Sequence, residues 1–363
     1  MLYTSDFDYN LPSKLIAQQP VKPRDHSRLL ILDKKTGKVE YKHFYDIIDY
    51  LKPGDVLVLN NSKVFPARLI GRKKDTSGKI EIFLLKQQIS KDEKKNKGEI
   101  WDCLIGGHGR KENLVVNFYV SNQSKSILTA TVKKENKDGI WEVSFNQSEQ
   151  KFINIINRIG RTPLPPYIKR NKDAATLIAK DKITYQTIYA DENKVGSVAA
   201  PTAGLHFTSA LLNKLKERGV QVKYITLHVG LGTFAPVKTE KIEGHKMHSE
   251  LVEISKETLK DIKKAKKEKR RIIAVGTTSA RALESVFSNN ETSKYKFETN
   301  IFIYPPYRFK VIDAMITNFH LPKSTLLMLI SAFAGKKNID KAYQLAIKNE
   351  YRFYSYGDAM LIN

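Results

Sequence analysis

Ile272-Ile273-Ala274-Val275 runs straight into Gly276-Thr277-Thr278-Ser279-Ala280-Arg281, and the reading of this junction decides the fold. Four consecutive apolar residues, three of them β-branched, describe a strand covered on both faces. Past the Gly-Thr-Thr turn, Ala280, Leu283 and Phe287 recur at spacings of three and four and so share one face of a helix. Strand, turn and helix in this order are the unit of an α/β layer structure. Related patterns lie upstream. Ser209 to Arg218 reads as a helix closed by Gly219 and followed by the strand Val220-Gln-Val-Lys-Tyr-Ile225. Ser255 opens a lysine-rich helix that reaches about Arg270 and delivers the strand at Ile272. Asp55-Val-Leu-Val-Leu-Asn60 is another buried-type run, which lets the opening of the chain join the same sheet. No internal repeat is visible.

Between about residues 66 and 150 the sequence changes to short strand-type runs: Arg68-Leu-Ile-Gly-Arg72, Lys79-Ile-Glu-Ile-Phe-Leu-Leu85, Ile100-Trp-Asp-Cys-Leu-Ile105, Asn113-Leu-Val-Val-Asn-Phe118, Ile127-Leu-Thr-Ala-Thr-Val132 and Ile140-Trp-Glu-Val-Ser-Phe145. Turn signals at Asp75-Thr-Ser-Gly78 and Asn136-Lys-Asp-Gly139 separate several of them. Leu128, Ala130 and Val132 alternate with Thr129, Thr131 and Lys133, so one face is buried and the other wet. About six antiparallel strands with one wet face predict a small barrel or a rolled sheet. The expected organisation is an α/β main domain, residues 1–65 and 154–363, with an inserted small antiparallel β-barrel domain, residues 66–153. Lys91-Asp-Glu-Lys-Lys-Asn-Lys-Gly98 reads as a solvated loop.

At 363 residues, 41% of them hydrophobic, the chain is long enough for two domains and a sizeable core. Cys103 stands alone, which excludes an intrachain disulfide framework and a multi-cysteine zinc site and fits a reducing compartment. The N-terminus lacks a basic region followed by an apolar run, and no segment offers an uncharged membrane-spanning length, so a cytoplasmic, soluble protein is expected. The net charge of +24 favours a polyanionic partner, although lysines outnumber arginines 48 to 14 and a lysine-rich composition also arises without any nucleic-acid role.

Several loops hold chemistry-bearing residues. Gly196-Ser-Val-Ala-Ala-Pro-Thr-Ala-Gly-Leu-His206-Phe-Thr208 is long for a structural connection and ends at a helix start. Thr226-Leu-His228-Val-Gly230-Leu-Gly232-Thr233-Phe234 is a strand pattern running into a second glycine-spaced loop. Each histidine is either a proton-transfer group or a packed core residue. The Gly276–Arg281 turn presents helix N–H groups, and with Arg281 it suits a carboxylate or a phosphate; plain threonine capping is the alternative. It is neither a Walker loop nor a dinucleotide fingerprint. His245-Lys-Met-His248-Ser-Glu250 would place two histidines toward one metal if helical, yet no third ligand follows from the spacing, and a hydrogen-bonding or acid/base role is preferred. Asn318-Phe-His320-Leu-Pro322-Lys323-Ser324-Thr325 delivers a capped apolar helix ending near Gly335, with His320 either catalytic or packed. Tyr351-Arg-Phe-Tyr-Ser-Tyr356-Gly-Asp358 suits either base stacking or a core edge.

Ten ordered blocks together resemble the S-adenosylmethionine:tRNA ribosyltransferase-isomerase family of queuosine biosynthesis over essentially the whole chain. They are Asp6–Pro12, Leu59–Arg68, Gly160–Tyr167, Tyr185–Ala190, Gly196–Thr208, His228–Val237, His245–Glu250, Gly276–Ser285, Thr317–Gly335 and Tyr351–Leu361. Thr184 and Pro306 depart from the family's expected arginine and glycine, and Gly106-Gly-His-Gly109 replaces a more basic loop. The resemblance implies an α/β domain with an inserted barrel. It also implies transfer and isomerisation of the ribosyl part of S-adenosylmethionine onto the aminomethyl group of a 7-deazaguanine at the tRNA wobble position, with release of adenine and methionine. S-adenosylmethionine is then a consumed donor, no cofactor or metal is called for because the sulfonium is the activating group, tRNA is the partner, no membrane is involved, and a monomer is expected. The candidate catalytic residues are His206, His228, His248, Glu250 and His320. The candidate substrate-binding residues are Arg68, Tyr185, Gln186, Ser197, Thr202, Gly204, Gly230, Gly232, Thr233, Thr277, Thr278, Arg281, Asn318, Lys323, Ser324, Tyr356 and Asp358.

Overall fold

The computed structural model describes residues 1–88, 98–120, 124–136, 139–170, 175–230, 237–288 and 295–363, so most of the Lys91–Gly98 tract and part of the Asn136–Gly139 turn lie outside the described residues. The chain divides into two compact units, one of Met1–Lys63, Pro165–Lys169 and Thr184–Asn363, the other of Val64–Leu164 and Arg170–Ile183.

The first unit is built on a nine-stranded sheet in the order Lys296–Thr299, Glu250–Glu253, Gln221–Leu227, Val56–Asn60, Ile272–Val275, Ala314–Asn318, Ala359–Ile362, Arg28–Leu32, Val39–His43. The four central strands, from Gln221–Leu227 to Ala314–Asn318, are mutually parallel, and antiparallel pairings begin on either side. Buried strands need both faces covered, and the residue alternation shows how. Val56 and Val58 join one apolar cluster with the helices Lys256–Lys267, Gly276–Ser288, Thr325–Ala334 and Lys336–Lys348. Leu57 and Leu59 join another with Phe44, Phe207 and the helix Ser209–Glu217. The α/β layer expected from Ile272 onward is therefore present, with helices on both faces.

Helix ends follow local chemistry. The side chains of Thr208, Ser255 and Ser324 accept from the backbone N–H three residues on, at 3.0–3.2 Å, and so begin the three helices that follow them. From Val56–Asn60 the next parallel strand lies on one side, and from Ile272–Val275 it lies on the other. The reversal falls between these two neighbours, and the carboxyl ends of strands at such a switch point are where open α/β sheets bind ligands.

The second unit is a closed six-stranded antiparallel barrel in the order Trp141–Phe145, Ile100–Gly106, Lys79–Gln88, Arg68–Lys73, Val115–Phe118, Leu128–Glu135. Leu128, Ala130 and Val132 point inward, as do Ile80, Ile82 and Leu84 and the indoles of Trp101 and Trp141. This unit extends beyond the expected 66–153 boundaries because Phe152, on the helix Glu149–Ile159, is fully buried against Trp101 and Phe145. A later helix, Ala175–Thr184, is tied in by a two-point ion pair from Arg170 to Asp181 at 2.8 and 2.9 Å.

Candidate active site

A cleft with about 540 Å³ of empty volume opens at the carboxyl ends of the parallel strands. Its wall consists of residues 200–203, 276–278 and 317–321 with Tyr167, Val229, Leu326, Tyr354 and Ser355. None of these described residues carries a formal charge at neutral pH once His320 is neutral, as its burial dictates.

Gly276 turns the strand Ile272–Val275 into the helix with φ of +86°, a conformation that favours glycine. Behind it, Thr277 and Thr278 line the cleft on the first helical turn, whose N–H groups lack intrahelical partners. Thr278 Oγ1 and Ser279 Oγ are buried without a hydrogen-bond partner among the described residues. An anion suits this end of the helix. Arg281, one turn further, is buried and donates to Glu250 Oε2, and Glu250 Oε1 accepts from the Gly230 N–H at 3.0 Å. That guanidinium is absent from the cleft wall and holds the glycine loop's first residue through Glu250.

Of the candidate histidines, His320 alone is in the cleft wall. Its Nε2 is 2.7 Å from Thr317 Oγ1, its N–H donates to Tyr343 Oη at 2.8 Å, and its carbonyl accepts from Tyr9 Oη. Burial pushes its pKa down to about 3. His206 is also buried and pushed down to about 3, by burial and then by the charges of Arg24 and Arg352. Both of its nitrogens are engaged: Nδ1 with Ser27 Oγ at 2.6 Å, and Nε2 as acceptor from Asn318 Nδ2 at 3.1 Å. The ring stacks on Phe44 with centroids 5.0 Å apart. His206 thus fixes Asn318, which faces the cleft and also accepts from Thr202 Oγ1 at 3.0 Å. His228 turns to a different cluster, with Nε2 3.5 Å from Glu253, a carboxylate shared with Lys194 and Lys296. A Cβ on Gly196 would stand 2.6 Å from its Nδ1, which explains the glycine. His248 is exposed, and residues 245–249 are not helical, so the i,i+3 metal geometry does not form. No cluster of three or more His, Cys, Asp or Glu that could hold a metal occurs among the described residues.

A family model described as "Queuosine biosynthesis protein" matches residues 4–362. The chain belongs to the queuosine biosynthesis protein family. It is 52% identical over 363 residues to the S-adenosylmethionine:tRNA ribosyltransferase-isomerase of Sulfurihydrogenibium sp. (strain YO3AOP1), covering 99% of each chain. It is 49% identical to the enzyme of the same name from Thermotoga petrophila, again over 99% of each. Among solved structures it is similar to the S-adenosylmethionine tRNA ribosyltransferase of Thermotoga maritima, with 37% identity, a TM-score of 0.54, and coverage of 99% of this chain and 100% of that one.

In this family member the remaining candidates separate by direction. Thr202, Thr277, Thr278 and Asn318 face the cleft. Ser197 is buried and accepts from the Val229 N–H at 3.0 Å, which shapes the wall from behind. Ser324 caps a helix, and Lys323 pairs with Asp8 at 2.8 Å. Asp358 is a buried clamp for the N–H groups of Arg28 and Arg352. Tyr185 and Tyr356 are buried edge to face, and the Gln186 carbonyl accepts from Arg24. Gly204 is pressed against Tyr189, whose Oη would be 1.8 Å from an added Cβ. Arg68 lies in the barrel unit, paired with Glu81 at 2.8 Å. Gly232 and Thr233 lie outside the described residues.

Four polar wall residues were not among the candidate site residues: Tyr167, Thr317, Tyr354 and Ser355. Tyr167 and Tyr354 place ring centroids 4.7 Å apart, and Tyr167 Oη is 2.7 Å from Ser355 Oγ. Burial pushes the Tyr354 phenol up to about 12, so it stays neutral. The only sequence signals were their membership of the Gly160–Tyr167, Thr317–Gly335 and Tyr351–Leu361 blocks.

Proposed function

We propose that this chain is an S-adenosylmethionine:tRNA ribosyltransferase-isomerase. It transfers and isomerises the ribosyl moiety of S-adenosylmethionine onto the aminomethyl group of 7-aminomethyl-7-deazaguanine at the tRNA wobble position, giving epoxyqueuosine-tRNA and releasing adenine and methionine. The observation that carries this reading is 52% identity, over 99% of both chains, to a relative of that name. S-adenosylmethionine is consumed as donor, and no separate cofactor or metal takes part.

The cleft supports a division of labour. The helix N-terminus at Gly276 to Thr278 receives the methionine carboxylate, with the unpartnered Thr278 hydroxyl as an added donor. The Tyr167 and Tyr354 rings offer π-faces to the sulfonium or the adenine. Neutral His320 takes the proton from the carbon beside the sulfonium: the C–H bond breaks, an N–H bond forms, and the electron pair stays on that carbon as a sulfonium ylide, so the substrate's charge falls by one unit as the imidazolium gains it. No new net charge is created in the cleft. The tRNA is drawn by the +24 net charge, including the exposed lysines of the helix Lys256–Lys267, so its affinity falls steeply with salt.

The test is product analysis with S-adenosylmethionine and tRNA bearing the aminomethyl base. Free adenine and methionine are expected. S-adenosylhomocysteine would replace the reading with methyl transfer, and tight RNA binding without turnover would replace it with a binding module.

A further inference from the structure

His43 ends the edge strand Val39–His43, and a 3-10 turn, Phe44–Asp49, starts at once. Phe44 and Ile47 of that turn are fully buried, and the His43 N–H is held by Asp46 Oδ2 at 2.9 Å, so the junction is anchored in the core. The two residues flanking buried Phe44 are thereby set on the surface side by side. Their rings stack within 10° of parallel, with centroids 5.2 Å apart. His26, from a neighbouring turn, meets Tyr45 edge-on at 5.1 Å. All three rings stay exposed: Tyr45 by 40% and the His26 side chain by 55%, with Tyr41 two residues up the strand at 47%.

Rings locked into a stack while open to solvent gain less from burial than core rings do, and their exposed π-faces suit a planar ligand. Their position narrows the ligand. His26 precedes Ser27, whose hydroxyl holds His206, and Phe44 stacks on the same imidazole. His206 in turn holds the cleft residue Asn318. The platform is therefore built on the outer side of residues that brace the cleft wall. A tRNA whose wobble nucleotide enters the cleft brings unpaired neighbouring bases with it, and single-stranded bases are held by stacking on exposed Tyr and His rings.

We propose that His26, Tyr45 and His43 form a stacking platform for an unpaired base of the tRNA substrate, beside the nucleotide that enters the cleft. The proposal rests on the function given above. It is tested by measuring dissociation constants of wild type, Tyr45→Ala, His43→Ala and Tyr45→Trp for an anticodon stem-loop, for a blunt RNA duplex of the same stem, and for S-adenosylmethionine. Each alanine variant should raise the stem-loop dissociation constant roughly 5- to 150-fold. Tyr45→Trp should retain tight binding, and the duplex and S-adenosylmethionine constants should hold, the latter reporting an intact fold. Wild-type stem-loop affinity in both alanine variants overturns the platform alone. Equal losses for stem-loop and duplex also overturn it, in favour of a backbone contact. A wild-type protein that binds no stem-loop overturns platform and function together.

Discussion

Acidification from pH 7.5 to 5 should destabilise the α/β unit through its two buried histidines, and replacing His206 should remove about half of that loss. Burial holds His206 and His320 down at about 3, against an ordinary value near 6.5 in the unfolded chain. The folded state thus keeps both rings neutral where the unfolded chain protonates them. Their contribution is fully present above pH 6.5 and is lost as pH falls from 6.5 toward 3. At pH 5 the gap is about 1.5 pH units below the unfolded value, or about 2 kcal/mol for each histidine. In His206→Gln the urea-unfolding free energy should therefore depend on pH less steeply, by about 2 kcal/mol between pH 7.5 and 5. Imidazole NMR gives the direct check: both rings should remain neutral at pH 5. A His206 resonance titrating near 6.5, or equal pH dependence in variant and wild type, would refute the reasoning.

Further outcomes follow from the cleft. His320→Ala should lower kcat by about 10²- to 10⁴-fold with S-adenosylmethionine binding retained, whereas His228→Ala should turn over near the wild-type rate; an active His320→Ala enzyme removes that residue from the chemistry. Thr278→Val should raise KM for S-adenosylmethionine about 5- to 10-fold through one lost hydrogen bond. Weakened tRNA binding with unchanged KM would instead assign the helix end to a phosphate. Arg281→Ala leaves Glu250 buried without this partner and should cost about 3–5 kcal/mol in urea unfolding; near-neutral stability would contradict the pairing. Gly204→Ala should cost about 1–3 kcal/mol by overpacking on Tyr189, and adding Tyr189→Phe should restore part of it; no recovery would place the strain elsewhere.

The architecture was legible because its signals are periodic. The run Ile272 to Val275 has no polar interruption and lies at the sheet's centre, and the alternation at Leu128 to Lys133 states directly which face is inside. The helix Glu149–Ile159 was missed although Phe152, Ile155, Ile156 and Ile159 recur at helical spacing, because it falls at the boundary where the strand-rich segment ends. In the site, the Gly276 junction was legible because strand and helix signals meet there. The Tyr351–Asp358 stretch was not, since Tyr354 adopts φ of +70° and re-aims the chain. Tyr354 and Ser355 consequently face the cleft while Tyr356 and Asp358 turn into the interior, and no periodicity encodes that reversal. Histidine identity likewise carried no information on whether both ring nitrogens would be occupied.

A cleft whose described wall residues carry no charged side chain is a coherent solution for a substrate that brings its own charges. S-adenosylmethionine carries a sulfonium, an ammonium and a carboxylate, and a buried countercharge for each would need its own desolvated partner. A helix terminus supplies partial positive charge from backbone that is already fixed, so on the proposed placement the carboxylate needs no extra buried arginine. Arg281 is free of that duty. Through Glu250 it instead steadies Gly230, next to the wall residue Val229. Tyrosine faces attract a cation without neutralising it, which leaves the sulfonium reactive. On the proposed role of His320, neutral described walls also mean that proton transfer to it relocates one unit of positive charge within the cleft. A fixed carboxylate in that wall would lower the cost of the imidazolium, but it would stabilise the sulfonium ground state as well, and only the difference between the two accelerates the step.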